Sequence, residues 1–279
     1  MDSLGSLPRL TATPRRQIGL LTAATGALLV AFFIAPNALA RSSVNTGNVG
    51  TTFRHGLVAY WDSGSQDFPG QLDATVSFWF RFHVVKAGVS ALLLASVVAL
   101  GIVLWRLRRE RAGERTRRSL VLPWTFVATT GTFALVALVA NVQGAAAPFA
   151  SLLPMLSGGG TDSGVGTTVA QARQQLADYP DGRHSPALAV MVDDFAVYHA
   201  VLAAMAAVVA LALGAATVVL WRRRRASAAP AGTRARRPLT WGVAGCAALT
   251  AVVLVVAVAN ATSAAHSPQA LAAFFDGGW

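Results

Sequence analysis

His83 and His199, with Lys86 three residues beyond the first and Asp193-Asp194 just ahead of the second, are the side chains of this sequence whose types could do chemistry. Imidazole nitrogens and carboxylates ligate divalent metals, and either group can carry a proton. Spacing restrains that reading. At about 100 degrees per helical residue, Asp194 and Asp193 lie roughly 140 and 240 degrees around a helix from His199, so neither shares its face. A metal set of His83, His199, Asp193 and Asp194 would have to be assembled between helices. The sequence has no HExxH pattern, and its lone cysteine, Cys246, sits inside an apolar run, leaving no disulfide or cysteine-based metal site within one chain. The plainer expectation is of interfacial histidines hydrogen-bonded to headgroups, water or neighbouring segments. The pattern calls for no cofactor, and no residue is assigned a catalytic role. Asn37, Asn141 and Asn260, each at the end of an apolar run, are expected to make polar contacts between helices, as is Lys86, which is also near enough to a run's end to snorkel.

The elements that must position these residues are apolar. Charged residues make up 13% of the chain and apolar residues 54%, where a soluble domain carries about a quarter charged. Five nearly charge-free runs reach the roughly 20 residues needed to cross a bilayer: 17–40, 84–105, 119–142, 196–221 and 239–262. Arginine clusters alternate with them. If residues 1–16 and the stretches after the second and fourth runs face the cytoplasm, that side holds 17 basic and 3 acidic residues, and the other side 6 and 9. The positive-inside rule then orients the N-terminus to the cytoplasm and the C-terminus outward. The net charge of +11 is therefore read as orientation signals against a lipid bilayer, and no nucleic-acid partner is expected. Trp105-Arg106 and Trp221-Arg222 stand where the second and fourth runs meet the basic loops, as membrane-interface anchors. All but one of the 23 basic residues are arginine, which fits a GC-rich bacterial genome and a bacterial inner membrane.

The chain matches itself at an offset of 116. Val49-Gly50-Thr51-Thr52 falls on Val165-Gly166-Thr167-Thr168, Asp62 on Asp178, His83 on His199 and Val103-Leu104-Trp105-Arg106 on Val219-Leu220-Trp221-Arg222. Positions 49–109 carry 18 identities in 61, where so biased a composition would give roughly a tenth by chance. Upstream, Asn37 faces Asn141 once about 12 extra residues near Ala147–Ser157 are set aside.

The expected fold is an all-α, polytopic transmembrane bundle of five crossings, built from a tandem two-helix repeat plus one helix. Repeat one covers 17–109, with crossings at 17–40 and 83–105 around an outer segment at 41–82. A basic loop at 110–118 leads to repeat two, 119–225, with crossings at 119–142 and 196–221 around an outer segment at 143–195. A second basic loop, 226–238, precedes the fifth crossing at 239–262 and an outer tail to 279. Both repeats enter in the same orientation, as parallel rather than inverted copies. The outer segments are expected to hold short helices forming a cap. One runs about 10 residues from a capping Thr167, after a flexible Ser157–Gly166 connection; Ser185-Pro186 starts a helix that continues into the fourth crossing, and Pro69 acts similarly before the second.

The opening Arg15-Arg16-Gln17-Ile18, the apolar run and Ala38-Leu39-Ala40 resemble a twin-arginine export signal. Arg-Arg, apolar run and terminal Asn recur at the third and fifth runs, so the segment is expected to be retained as the first helix. No phosphate-binding loop or dinucleotide turn is present. The leading expectation is a non-catalytic subunit, scaffold or assembly factor with an envelope or membrane protein partner. The alternatives are a transporter or permease-like protein, and a membrane oxidoreductase or metal-binding protein using His83 and His199.

Overall fold

A computed structural model describes residues 14–110, 121–156, 163–179, 182–226 and 236–277. Most of the N-terminal segment 1–16 and of both basic loops, and residues 157–162 of the connection expected to be flexible, lie outside the described residues. Among the described residues the chain is all-α, with no strand. Five helices are long and apolar enough to cross a membrane: α1 (Pro14–Ala40), α3 (Gly70–Glu110), α4 (Val121–Ala146), α6 (Pro186–Ala226) and α7 (Arg236–Ala265). The rest are short: α2 (Val49–Ser63), a 3-10 helix (Ala150–Leu156), α5 (Ser163–Ala177) and α8 (Ser267–Phe275). The long helices expose large apolar side chains such as Leu122, Trp241 and Leu211, at 81%, 77% and 74%. Such faces would be untenable in water and fit a lipid environment, where they need no partner.

Several helices run past the expected crossings. Helices α3 and α6 have 41 residues each, about 60 Å of helix against a hydrocarbon core of about 30 Å. Their first and last residues are separated by the same 116-residue offset. Ser185 caps α6 by accepting a hydrogen bond at Oγ from the Leu188 N–H, with Pro186 in the first helical position. At α3 the Pro69 carbonyl takes the Asp73 N–H, so the helix begins in the turn Pro69 opens. Helix α5 starts at Ser163 rather than at a capping Thr167, which is already inside the helix. The reason is packing: Val165 is buried and gains from the added turn, against the modest cost of its neighbouring glycines.

The chain divides into two compact units. The first comprises Met1–Leu39 and Val84–Leu138. In it, Leu93, Val97 and Ala134 form a buried cluster joined by Leu28 and Leu29 of α1. Leu100 and Leu104 form another with Ile18, Leu21 and Trp124. Thr25, fully buried, is hydrogen-bonded to Ser96 at 3.0 Å, and Phe32 meets Phe133 edge-on at 5.3 Å.

The second unit comprises Ala40–His83 and Val139–Trp279 and contains all the short helices among the described residues. Its core is the main buried cluster of the protein. Phe53, Leu57 and Tyr60 of α2, Leu72 and Phe78 of α3, Phe149, Leu152 and Leu153 around the 3-10 helix, Leu176 of α5, Leu188 and Met191 of α6, and Leu271 of α8 pack together. The extra residues near Ala147–Ser157 are thus core-filling. Helix α2 approaches the first turn of α3 so closely that a Cβ on Gly56 would stand 3.2 Å from the Leu72 Cα, a tight contact that favours glycine there.

Candidate functional site: paired histidine and asparagine side chains

Both histidines singled out by type and repeat position are built the same way. His83 of α3 is hydrogen-bonded through Nδ1 to Oδ1 of Asn141 in α4 at 2.9 Å. His199 of α6 is hydrogen-bonded through Nδ1 to Oδ1 of Asn260 in α7 at 2.7 Å. Each bond therefore ties a long helix to the next long helix. Each imidazole also rests on two aromatic rings of its own helix, four residues and one residue earlier. Trp79 and Phe82 meet His83 edge-on with centroids at 4.8 and 5.8 Å, and Phe195 and Tyr198 meet His199 at 4.5 and 5.5 Å. The i−4 neighbour lies on the same helix face, and the i−1 neighbour flanks it, so the pattern aromatic-x-x-aromatic-His makes a hydrophobic cradle for the ring.

The hydrogen-bond network assigns the tautomer of His199. Asn260 Nδ2 donates to the Val256 carbonyl at 2.9 Å, which turns Oδ1 toward the imidazole. An oxygen can only accept, so His199 Nδ1 carries the proton and donates it, and in the neutral ring the lone pair is on Nε2. At His83, Nε2 is buried, and the ring is pressed against the backbone of α4: a Cβ on Gly144 would stand 2.7 Å from ring atoms. Here glycine is needed to admit the imidazole.

The acidic residues go elsewhere. Asp194 Oδ2 accepts the backbone N–H of Ala150 at 2.7 Å, anchoring the start of the 3-10 helix to α6. Asp193, one residue earlier, is exposed. Among the described residues no three His, Cys, Asp or Glu side chains converge in a way that could hold a metal ion. Of the four residues considered as a metal set, His83, His199 and Asp194 are thus engaged in separate contacts, while Asp193 is exposed. Lys86 Nζ lies 4.5 Å from the centroid of the Phe32 ring, a cation–π geometry within the first unit. Asn37 is half-buried in α1, immediately after Pro36 inside that helix.

Around the second unit's core, polar side chains join the short helices. Trp61 Nε1 donates to Gln171 Oε1 at 2.6 Å, Trp79 Nε1 to Ser151 Oγ at 2.8 Å and Arg54 Nη1 to the Met155 carbonyl at 3.0 Å. Gln143 Nε2 reaches the Tyr198 carbonyl at 3.1 Å, next to the His199 ring. Arg173 and Asp276 form a solvent-exposed ion pair at 3.2 Å. Tyr60 is fully buried and donates its hydroxyl to the Gln66 carbonyl at 3.0 Å; burial, with the Asp67 charge second, pushes its phenol up to about 12.

Near the C-terminal ends of α3 and α6 the two tryptophans expected to act as anchors are half-exposed, Trp105 at 42% and Trp221 at 40%. Their cationic ring partners lie further along than the adjoining Arg106 and Arg222. Arg109 sits 3.9 Å over Trp105, and Arg225 4.9 Å over Trp221. A residue four positions on shares a helix face, whereas the next residue is turned about 100 degrees away.

The class defined by these features is an all-α protein with five helices that fit an integral membrane protein, with a helical cluster packed at one end of its two longest helices. No family model matches the sequence, and no curated protein or solved structure shows a significant likeness to it.

Proposed function

We propose that this protein is a non-catalytic scaffold or assembly subunit of a bacterial inner membrane, with its short-helix cluster as an extracytoplasmic cap that meets an envelope or membrane protein partner. The observation carrying this reading is the composition of the second unit: a folded hydrophobic core of short helices on two helices about twice as long as a bilayer is thick. Polar chemistry in that unit is spent on joining helices. His83, His199 and Asp194 each hold one element to another, which is what a rigid platform needs.

A tandem duplication fits the same reading. It is supported by the equal length of α3 and α6 at the 116-residue offset, and by the recurrence of the aromatic-cradled histidine with an asparagine on the next helix. The arginine-rich ends of α3 and α6 support an orientation with those ends toward the cytoplasm and the cap outside.

The test is capture of a partner from intact membranes. A photo-crosslinking residue at the exposed Gln174 of α5 is expected to trap one envelope or membrane protein in stoichiometric yield, while the same residue at lipid-facing Val255 of α7 traps none. Equal, diffuse labelling from both positions would contradict the scaffold reading, and solute uptake by vesicles holding the purified protein alone would favour a transporter.

A further inference from the structure

The first unit contains a groove of about 450 Å³ at the arginine-rich end of its helices, lined by Ile18 and Thr22 of α1, Leu100, Leu104 and Leu107 of α3, and Phe126 of α4. Its lining is almost wholly apolar, and it opens outward between three helices. Arginines stand at its end. Arg15 is three residues before Ile18 and Arg108 four beyond Leu104, spacings that put each on the face of its groove-lining neighbour, and both are exposed.

An apolar slot with a pair of cations at its end matches two chemical parts of an anionic phospholipid, the acyl chain and the phosphate-bearing headgroup. We propose that this groove is a specific site for one anionic phospholipid. The acyl chain occupies the slot, and Arg15 and Arg108 engage the headgroup. Basic pockets between transmembrane helices on the cytoplasmic side are where such headgroups are held. The site goes beyond the scaffold reading and needs only that the five helices lie in a membrane. Carbonate extraction of cell membranes tests that separately, because a protein released without detergent would fail there and not in the lipid assay.

The experiment is native mass spectrometry of the full chain in detergent, with dioleoyl-phosphatidylglycerol or dioleoyl-phosphatidylcholine added in competition. The wild-type protein is expected to retain one phosphatidylglycerol, at least fivefold in preference to phosphatidylcholine, with no displacement by glycerol phosphate. Thr22→Trp fills the slot from an exposed position and is expected to abolish retention with helix content unchanged; Leu107→Trp serves if that variant does not fold. Arg15→Gln with Arg108→Gln is expected to erase the preference and leave weak binding of both lipids. A wild-type protein that retains neither lipid or binds both equally would overturn the proposal, and so would a folded Trp variant that still retains phosphatidylglycerol.

Discussion

Gly144 is the position where one atom would decide most. A Cβ there would stand 2.7 Å from the His83 ring, so Gly144→Ala must displace the imidazole and with it the bond to Asn141. Overpacking of this kind costs about 1–3 kcal/mol, and thermal unfolding in detergent is expected to move down by several degrees. Adding His83→Ala removes the clash, so the double variant is expected to lose less than the sum of the single losses. Additive losses would mean that the two residues do not meet. Tyr60 gives a pH-dependent case. Its phenol titrates near 10 when exposed and is pushed up to about 12 by burial. The stabilisation is complete below pH 10 and is lost as pH rises through about 12, because only the unfolded chain gives up its proton in between. Tyr60→Phe is expected to flatten denaturation midpoints over that window, and an unchanged slope would contradict the assignment. Sequence alone pointed to His83, His199, Asn141 and Asn260 as polar residues near the ends of apolar runs. The pairing was not legible, because each bond joins residues about 60 positions apart on different helices. The aromatic cradle could have been found: Trp79 and Phe195, and Phe82 and Tyr198, align at the 116-residue offset but are not identities.

At the scale of elements, hydropathy located the long helices well, because about 20 apolar residues have few alternatives to crossing a membrane. It placed their ends less well. The extensions of α3 and α6 carry polar and charged residues such as Asp73, Arg81 and Asp193, which end an apolar run without ending a helix. Capping settles one boundary: Ser185→Ala should cost about 1 kcal/mol through loss of the Oγ acceptor for Leu188. Amide exchange is expected to speed up in the first turn of α6 in that variant, while the rest of the helix keeps its protection. Helix α1 is held by its packing. It is helical through Ala38-Leu39-Ala40 and supplies Thr25 and Phe32 to contacts with α3 and α4. Mass spectrometry of the purified protein is therefore expected to find α1 attached, and a chain starting at Arg41 would contradict that. The glycine-rich start of α5 misled for a physical reason: composition favours a linker there, while burial of Val165 favours the helix.

For the molecule as a whole, the decisive feature is where the second unit's helical cluster sits relative to the membrane. The arginine-rich end of α6 and its contacts with the short helices lie at opposite ends of that helix, so one side of a bilayer would receive the charge and the other the folded cluster. Cys246, the lone cysteine, allows a direct measurement once replaced by serine. In that background Gln174→Cys reports on α5 and Arg224→Cys on the basic end of α6; Gln174 is exposed and Arg224 partly exposed. Treating intact spheroplasts with a membrane-impermeant maleimide is predicted to label Gln174→Cys at once and Arg224→Cys only after the membrane is permeabilised. Labelling of Arg224→Cys in intact spheroplasts, with Gln174→Cys protected, would contradict the extracytoplasmic cap.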